Sequence, residues 1–268
     1  MVNLYHGERS VCSQKVRLAL AEKGVPWEGE ILNLAKGDQF KPEYMKLNPN
    51  GVVPTIRDGD KVVIESTVIN EYIDEAFDGP PLAPADPHSR AMMRLWTKIP
   101  DEGIHVDVNT LSFAVYLRLP VLKLSPAEQS SRIEGIPDPV RREKMREMVT
   151  HGLDSPLVDG ALARFDRLFA RMEAQLERTP WLAGATYSLA DIGLTAYVHR
   201  MNMIGLSPLW TAGRPKLTAW FARLRERASY AAAIDAYEPK SAVEGMRNAA
   251  ATARPKLDLK LQALEAAR

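Results

Sequence analysis

The sequence has one cysteine among its 268 residues, so no disulfide can form within the chain. That scarcity is typical of proteins from a reducing compartment. The first residues, from Met1 to His6, lack the basic region and the long apolar run of a secretory signal. No apolar run approaches the roughly 18 residues that span a membrane. We therefore expect a cytoplasmic protein without a membrane partner.

An excess of charge of either sign is also lacking. The 35 basic and 34 acidic residues leave a formal net charge of +1, whereas nucleic-acid binders concentrate positive charge. This balance argues against a nucleic-acid partner. The composition, with 46% apolar and 26% charged residues, is that of an ordinary globular protein. The length allows two modest domains, each with its own core.

The chain before Asp78 alternates strand patterns with helical ones. The strand candidates are residues 2–5, 27–34, 55–57 and 61–64, the last two joined by a hairpin turn at Asp58-Gly59. Apolar residues at helical spacing follow Ser13 and Ser66, and Ser66 is a hydroxyl N-cap candidate. The predicted order is β-α-β, a connecting segment, and then β-β-α. We expect this first domain to cover residues 1–79.

Strand signals almost vanish after the Pro- and Gly-rich linker from Asp78 to Pro84. Helical patterns cover residues 88–99, 162–176, 189–204, 217–228 and 257–267. The proline-containing stretch 120–139 is less regular, and we expect a mobile or partly ordered connection there. The second domain is therefore predicted to be helical over residues 88–268.

A polar turn between the first strand and the first helix carries Ser10, Cys12 and Ser13. Unpaired backbone N–H groups and the positive end of the helix dipole gather at such a place, so it stabilises a thiolate or another anion. A hydroxyl that donates to a sulfur adds to this effect, and a cysteine there is reactive. The alternative is structural: Ser10 or Ser13 caps the helix, and Cys12 fills a small buried space.

Two further segments suit a peptide ligand. Val53-Pro54 directly precedes a strand, and a cis bond there would turn backbone polar groups outward to pair with an extended peptide. Glu65-Ser66 begins a helix, where a hydroxyl and free N–H groups hold a carboxylate while Glu65 pairs with an ammonium. Together the two residues match the charges of an amino acid. The alternatives are a trans proline and a plain helix cap.

The order and spacing of these segments resemble the thioredoxin-like domain of glutathione transferases. The resemblance implies an α/β N-terminal domain followed by an all-α helical bundle, with glutathione as co-substrate and a small hydrophobic electrophile as partner. The residues that it assigns fall into four groups, which are Ser10, Cys12 and Ser13 for the chemistry, Val53 and Pro54 for the cysteinyl backbone, Glu65 and Ser66 for the γ-glutamyl end, and Gln39 for the glycyl end.

The resemblance returns in the helical part. Residues 86–96 look like the start of the family's second domain, and Ser188 and Asp191 stand three apart as in its helix-capping motif, whose role is folding. The family also implies a homodimer and an acceptor pocket in the helical domain, for which Phe113 and Tyr116 are candidates. The histidines have no companion ligands at metal spacing, so we expect no metal.

The branch of the family leaves three hypotheses open. Ser10-Val11-Cys12-Ser13 resembles the zeta-class signature and that of the reductive dehalogenases of hydroquinones, and residues 65–73 resemble the bacterial β-aryl etherases. Residues 105–155 depart from the zeta class, which argues against maleylacetoacetate isomerisation. The first hypothesis is a detoxifying transferase that conjugates glutathione to an electrophile or uses it to cleave an ether or a halide. The second is a redox enzyme, either a reductive dehalogenase or a thiol oxidoreductase, that uses Cys12. The third is a non-catalytic binding protein.

Overall fold

Four strands near the amino terminus form one mixed sheet. The computed structural model, which describes residues 1–136 and 138–267, gives the spatial order β2-β1-β3-β4. Strand β1 runs parallel to β2 and antiparallel to β3, and β4 is antiparallel to β3. The strands are β1 (Val2–His6), β2 (Trp27–Ile31), β3 (Thr55–Asp58) and β4 (Lys61–Ile64).

Helix α1 (Val11–Lys23) connects β1 to β2, and helix α3 (Ser66–Ala76) follows β4. The segment between β2 and β3 holds a 3₁₀ turn (Asp38–Phe40) and the short helix α2 (Pro42–Met45). This succession of β-α-β and β-β-α confirms the predicted thioredoxin-like arrangement. Gly24 ends α1 with φ of 72°, a left-handed conformation that glycine adopts without steric cost.

The strand register brings the three predicted ligand segments to one end of the sheet. Tyr5 pairs with Thr55, and Thr55 pairs with Ile64 on its other side. The chain leaves β1 beyond Tyr5 toward Ser10, enters β3 from Val53-Pro54, and leaves β4 into Glu65-Ser66. Because antiparallel neighbours place the end of one strand beside the start of the next, the three segments meet at the same edge.

Two local details differ from the sequence-based predictions. The hairpin loop is Gly59-Asp60, because Asp58 still pairs with Lys61, and Gly59 takes the positive φ of 59° that the turn requires. The residue that precedes α3 is Glu65, with φ of 68° and no side-chain capping bond, so Ser66 is the first helical residue and not the cap.

The chain beyond the linker is helical, as predicted. The segment Pro100–Ile104 after α4 is kinked at Gly103, whose φ is 148°, and a π-helical turn (Phe113–Leu117) follows α5. None of the described helices combines the length and apolarity needed to cross a membrane. The helices are α4 (Pro87–Ile99), α5 (His105–Ser112), α6 (Arg118–Val121), α7 (Pro126–Glu134), α8 (Pro139–His151), α9 (Pro156–Leu176), α10 (Leu189–Met203), α11 (Pro208–Thr211), α12 (Pro215–Arg225), α13 (Ala228–Ala233) and α14 (Lys240–Ala266).

The described chain divides into two units. The first comprises Met1–Asp101, Ala174–Val198 and Lys216–Pro239. The second comprises Glu102–Glu173, His199–Pro215 and the chain from Lys240 onward. The predicted domain boundaries at residues 79 and 88 stay a prediction, and the predicted last residue, Arg268, lies outside the described residues.

The stretch 120–139 is more regular than we predicted, apart from Pro137, which lies outside the described residues. Ser125 and Glu128 form a reciprocal capping box that starts α7, and Asp138 caps α8 by accepting from the Val140 N–H at 2.9 Å. The first residue of each helix is a proline. Proline is favoured at that position because its missing N–H would be unpaired there anyway. These prolines therefore start helices and do not mark irregular chain.

The predicted capping motif in the first unit is confirmed and is entirely buried. Asp191 accepts hydrogen bonds from the N–H groups of Leu182 and Ser188, each at 3.1 Å, and from Nε1 of Trp220 at 2.8 Å. Burial raises the pKa of Asp191 to about 6, although these donors favour the carboxylate and oppose the shift. Asp191 thus links the start of α10 to the preceding loop and to α12.

The second unit has its own buried polar links and aromatic core. Asp107 is only 2% exposed. Its carboxylate accepts hydrogen bonds from Nε of Arg164 at 2.7 Å and from Nη2 at 2.6 Å. The ring of Phe169 lies edge-on to Trp210 at a centroid distance of 5.3 Å. A bidentate pair of this kind fixes both position and orientation, so it joins α5 to α9 in one geometry.

Candidate functional site

The loop between β1 and α1 is held by Arg17, which is buried at 1% exposure. Its guanidinium donates to the backbone oxygens of Glu8 and Ala233, each at 2.7 Å, and to that of Gly7 at 3.2 Å. It also lies 4.1 Å from the centroid of the Tyr237 ring. Burial lowers the pKa of Arg17 to about 10. The side chain therefore fixes the loop that leads to Ser10.

His6 completes this arrangement. Its Nδ1 lies 2.9 Å from Nη1 of Arg17, and because a guanidinium can only donate, Nδ1 must accept and the ring proton must sit on Nε2. Burial, with the Arg17 charge as a second cause, lowers the pKa of His6 from 6.5 to about 4. The buried imidazole is therefore neutral at physiological pH.

We expect His6 to make the protein less stable as the pH falls. A group whose folded pKa is depressed contributes stability that is present above its unfolded pKa, here 6.5, and is lost as the pH falls toward about 4. The melting temperature should therefore drop over that interval, and it should drop less in His6→Gln, whose side-chain oxygen can still accept from Arg17. Thermal denaturation followed by circular dichroism at several pH values measures both.

The matched control is the exposed His88. His88→Gln should keep the wild-type dependence on pH, and the comparison between variants cancels the contributions of other groups. Equal slopes in His6→Gln and the wild type between pH 4 and 6.5 would contradict the prediction.

Ser10 is the N-cap of α1. Its Oγ accepts from the N–H of Ser13 at 3.3 Å, as the structural alternative proposed. A hydroxyl that accepts one hydrogen bond still has its own proton to donate. Since Ser10 is only partly buried, capping and donation to a ligand sulfur are compatible roles for this one side chain.

Ser13 and Cys12 differ in their surroundings. Ser13 is fully buried, and its Oγ accepts from the N–H of Gly7 at 3.2 Å, so its hydroxyl supports the loop from inside. Cys12 is partly exposed and is a hydrogen-bonded neighbour of the Tyr197 hydroxyl. Burial raises the pKa of Tyr197 well above its ordinary value, and the neighbouring Cys12 is a further cause. Of the two residues, Cys12 is the one that meets solvent.

The Val53–Pro54 peptide bond is cis, as the sequence suggested. The preceding turn is held by Asn48, whose Nδ2 donates to the Val52 carbonyl at 2.9 Å and to the Thr55 hydroxyl at 3.2 Å. Among the described residues, neither the N–H nor the C=O of Val53 has a hydrogen-bond partner. These two groups are therefore available to an extended ligand.

The start of α3 offers unpaired donors. Within residues 1–136 and 138–267, no acceptor faces the N–H groups of Ser66 and Thr67, which are first-turn groups without an intrahelical partner. The Ser66 hydroxyl accepts from Nζ of Lys15 at 3.0 Å. Glu65 Oε1 lies 3.4 Å from Nδ2 of Asn50. The dipole and these donors favour an anion at this point.

The remaining predicted residues lie in separate places. Gln39 belongs to the 3₁₀ turn after β2, and its Oε1 is shielded from solvent without a partner in the described chain. Phe113 and Tyr116 share the π-helical turn of the second unit, where Phe113 is buried and Tyr116 is partly exposed. The part of the chain that the structure describes contains no cluster of three or more His, Cys, Asp or Glu side chains suited to a metal.

Sequence reasoning missed the roles of Lys15 and Tyr197. Lys15 had a detectable signal in the sequence. It lies four residues after Val11 and four before Ala19, so a charged residue occupies the face of α1 on which both of these residues are buried. Tyr197 had none, since nothing local in α10 indicates that its hydroxyl reaches Cys12.

A thioredoxin-like sheet with a cis-proline loop, followed by a helical region with a buried capping box, is the architecture of glutathione-dependent transferases. The model of the glutathione S-transferase N-terminal domain matches residues 9–76, and that of the C-terminal domain matches residues 155–223. The chain belongs to the glutathione transferase superfamily. Glutathione is the thiol co-substrate from which this family takes its name.

Three relatives illustrate the similarity. Protein LigF from Sphingobium sp. (strain NBRC 103272 / SYK-6) is 32% identical over 232 residues, which cover 84% of this chain and 90% of LigF. The crystal structure of β-etherase LigF superposes with a TM-score of 0.79 at 31% identity and covers 88% of this chain and 99% of that one.

The tetrachloro-p-hydroquinone reductive dehalogenase of Sphingobium chlorophenolicum is 30% identical over 236 residues, which cover 85% of this chain and 94% of the dehalogenase. A maleylacetoacetate isomerase from Methylobacterium extorquens AM1, solved with malonate and glutathione, has a TM-score of 0.63 at 25% identity and covers 88% of this chain and 98% of that one.

Proposed function

We propose that this chain is an enzyme that ionises the thiol of glutathione and directs the thiolate at an electrophilic carbon of a small hydrophobic substrate. The observation that carries the proposal is the convergence of unpaired donors at one edge of the sheet. Ser10 follows β1, the free backbone groups of Val53 precede β3, and the free N–H groups of Ser66 and Thr67 follow β4. Their chemistry suits, in turn, a thiolate, a peptide backbone and a carboxylate.

In this proposal each residue acts on a separate part of glutathione. Val53 pairs with the cysteinyl backbone, Ser66 and Glu65 hold the carboxylate and ammonium of the γ-glutamyl end, and Gln39 holds the glycyl carboxylate. The Ser10 hydroxyl donates to the sulfur, aided by the positive end of α1. Stabilising the thiolate by one pKa unit takes about 1.4 kcal/mol, which a hydroxyl and a helix start can supply.

The reaction is a substitution at carbon. The thiolate forms a carbon–sulfur bond as a carbon–oxygen or carbon–halogen bond breaks, and the leaving group departs with the bonding electrons as halide or as a phenolate, which then takes a proton from water. LigF, whose crystal structure is that of a β-etherase, is 32% identical to this chain. This similarity favours an aryl ether among the substrates. Phe113 and Tyr116, on a π-helical turn of a kind often found at functional sites, are the proposed liners of the acceptor pocket.

The partly exposed Cys12 favours a second candidate, reductive dehalogenation. Glutathione first displaces halide from the ring and forms an aryl thioether. The Cys12 thiolate then attacks the sulfur of this adduct, which forms a Cys12–glutathione disulfide while the aryl carbon leaves with the electron pair and takes a proton. A second glutathione reduces that disulfide and releases oxidised glutathione. The hydrogen bond from the buried Tyr197 to Cys12 favours such a thiolate, as does the similarity to a reductive dehalogenase.

The setting that we propose is a cytoplasmic homodimer that detoxifies electrophiles. The family resemblance and the single cysteine support it. Size-exclusion chromatography with light scattering tests the dimer directly.

We expect Cys12→Ser to separate the two reactions. If Cys12 resolves an adduct, the variant should stop at the glutathionyl product with a chlorinated hydroquinone, yet cleave an aryl ether at the wild-type rate, because substitution at carbon does not need the cysteine. Both proteins are incubated with glutathione and each substrate, and the products are identified by mass spectrometry.

Equal products from the wild type and Cys12→Ser on the hydroquinone would end the redox hypothesis. Retention on immobilised glutathione without turnover of any ether or halide would instead favour the non-catalytic binding protein. Reaction of the ether by wild type, with one glutathione consumed for each bond cleaved, is the result that the leading proposal predicts.

A further inference from the structure

Lys15 is a buried side chain whose ammonium group has no counter-charge. It is 1% exposed, and its Nζ donates to the hydroxyls of Ser66 and Thr67, both at 3.0 Å. Within residues 1–136 and 138–267, this ammonium group makes no other hydrogen bond and no ion pair. Buried charges in proteins are normally paired with an opposite charge or a metal, and lysine is almost never fully buried otherwise.

A neighbouring lysine on the same helix shows the usual arrangement. Lys23, 5% exposed, donates from α1 to Asp74 on α3 at 2.8 Å. Lys15 makes the corresponding reach from α1 to α3 but meets two neutral hydroxyls. The contrast indicates that the counter-charge of Lys15 comes from outside the chain.

The hydrogen-bond donors around Lys15 favour a negatively charged group at the start of α3. Each hydroxyl accepts from the ammonium and therefore keeps its own proton for a further acceptor. The N–H groups of Ser66 and Thr67 are unpaired in the described chain, and the dipole of α3 adds to their effect. Glu65 takes a φ of 68° and a ψ of 111° where it leads into this turn. Such a conformation in a residue other than glycine is typical of functional sites.

We propose that Lys15 is a positioning residue for the α-carboxylate at the γ-glutamyl end of glutathione. It acts through the hydroxyls of Ser66 and Thr67 and does not touch the ligand. The bound carboxylate supplies the missing counter-charge, and the polarised hydroxyls donate to it. This inference rests on the glutathione site proposed above.

The test compares two ligands. One is glutathione, and the other is the analogue in which 4-aminobutyrate replaces the γ-glutamyl residue, so that only the α-carboxylate is missing. Calorimetric titration of the wild type should show about tenfold to a hundredfold weaker binding of the analogue, as expected for the loss of a charge-assisted hydrogen bond. Lys15→Met should bind glutathione about tenfold more weakly than the wild type does and should bind the analogue with unchanged affinity, because the N–H groups of Ser66 and Thr67 still donate to the carboxylate.

Two further variants keep the test independent of folding. Lys23→Met removes the paired lysine and should lower stability while it retains the wild-type preference for glutathione over the analogue. Lys15→Arg keeps the charge and should retain most of that preference. If Lys15→Met does not fold, Lys15→Gln takes its place, with the same expected loss of preference.

Each failure points to a different proposal. A wild type that binds glutathione and the analogue equally would overturn the placement of the γ-glutamyl end, and the role of Lys15 with it. A wild type that prefers glutathione, together with a Lys15→Met variant that keeps the preference, would overturn the role of Lys15 alone. Equal weakening of both ligands in Lys15→Met would assign the residue a merely structural role and would also overturn the inference.

Discussion

Replacing Asp191 by alanine is expected to lower the free energy of unfolding by about 3 kcal/mol or more. The variant leaves three buried donors without their acceptor, namely the N–H groups of Leu182 and Ser188 and the Nε1–H of Trp220. Each buried unsatisfied donor costs about 1–3 kcal/mol. A typical protein has about 5–15 kcal/mol of stability in total, so the loss is a large share of it. Urea denaturation followed by tryptophan fluorescence measures the change.

The control for Asp191 is the other half of its capping box. Ser188→Ala removes one capping hydroxyl and should cost about 1 kcal/mol, much less than Asp191→Ala. A loss in Asp191→Ala as small as that in Ser188→Ala would show that the three donors find other acceptors. The folded pKa of Asp191 is raised from 3.8 to about 6, so the stability that comes from its protonation is full below pH 3.8 and is lost as the pH rises through about 6. The hydrogen bonds from the three donors do not depend on that proton. Denaturation should therefore be compared at one pH above this interval, where the variants differ only in these bonds.

Replacing Ser10 by alanine is expected to slow turnover about tenfold to a hundredfold, the range that corresponds to a hydrogen bond to a charged group. Affinity for glutathione should stay nearly unchanged, because the hydroxyl acts on the sulfur and the peptide ends are held elsewhere. An ultraviolet titration of the bound thiolate should show its apparent pKa rising in the variant. Steady-state kinetics with an aryl ether or another electrophile gives the rates.

The capping role of Ser10 requires a second variant. Its Oγ accepts from the Ser13 N–H, so Ser10→Ala also loses a cap worth about 1 kcal/mol, whereas glycine at an N-cap costs only a few tenths. Ser10→Gly should therefore slow turnover as much as Ser10→Ala while it preserves more stability. An unchanged thiolate titration in both variants would move the assignment to Cys12 or Ser13. Ser13→Ala then distinguishes these two, since its buried hydroxyl supports the Gly7 N–H.

Patterns over a few residues correctly predicted much of the local structure. Gly24 after an amphipathic stripe marked the end of α1, and Ser188 and Asp191 marked the start of α10, because caps and turns depend on nearest neighbours. Two predictions from local patterns were wrong. We expected an irregular stretch around Pro126 and Pro139, but these prolines begin α7 and α8, because proline at the first helical position needs no N–H partner. Ser66 lost the capping position to Glu65, whose positive φ has no signal in the residue type.

The sequence by itself determined the order of strands and helices, the candidate cis-proline and the three ligand segments. These features are short-range, since they follow from side-chain periodicity and from residues that suit turns. Only the tertiary structure decided which side chains surround those segments. Lys15 meets Ser66 across 51 positions, Arg17 meets Ala233 across 216, and Tyr197 meets Cys12 from another helix. Contacts of this kind depend on how the elements pack. Burial removes charged and polar side chains from water, so these side chains are stable only when packing brings a hydrogen-bond partner from a remote part of the chain beside them.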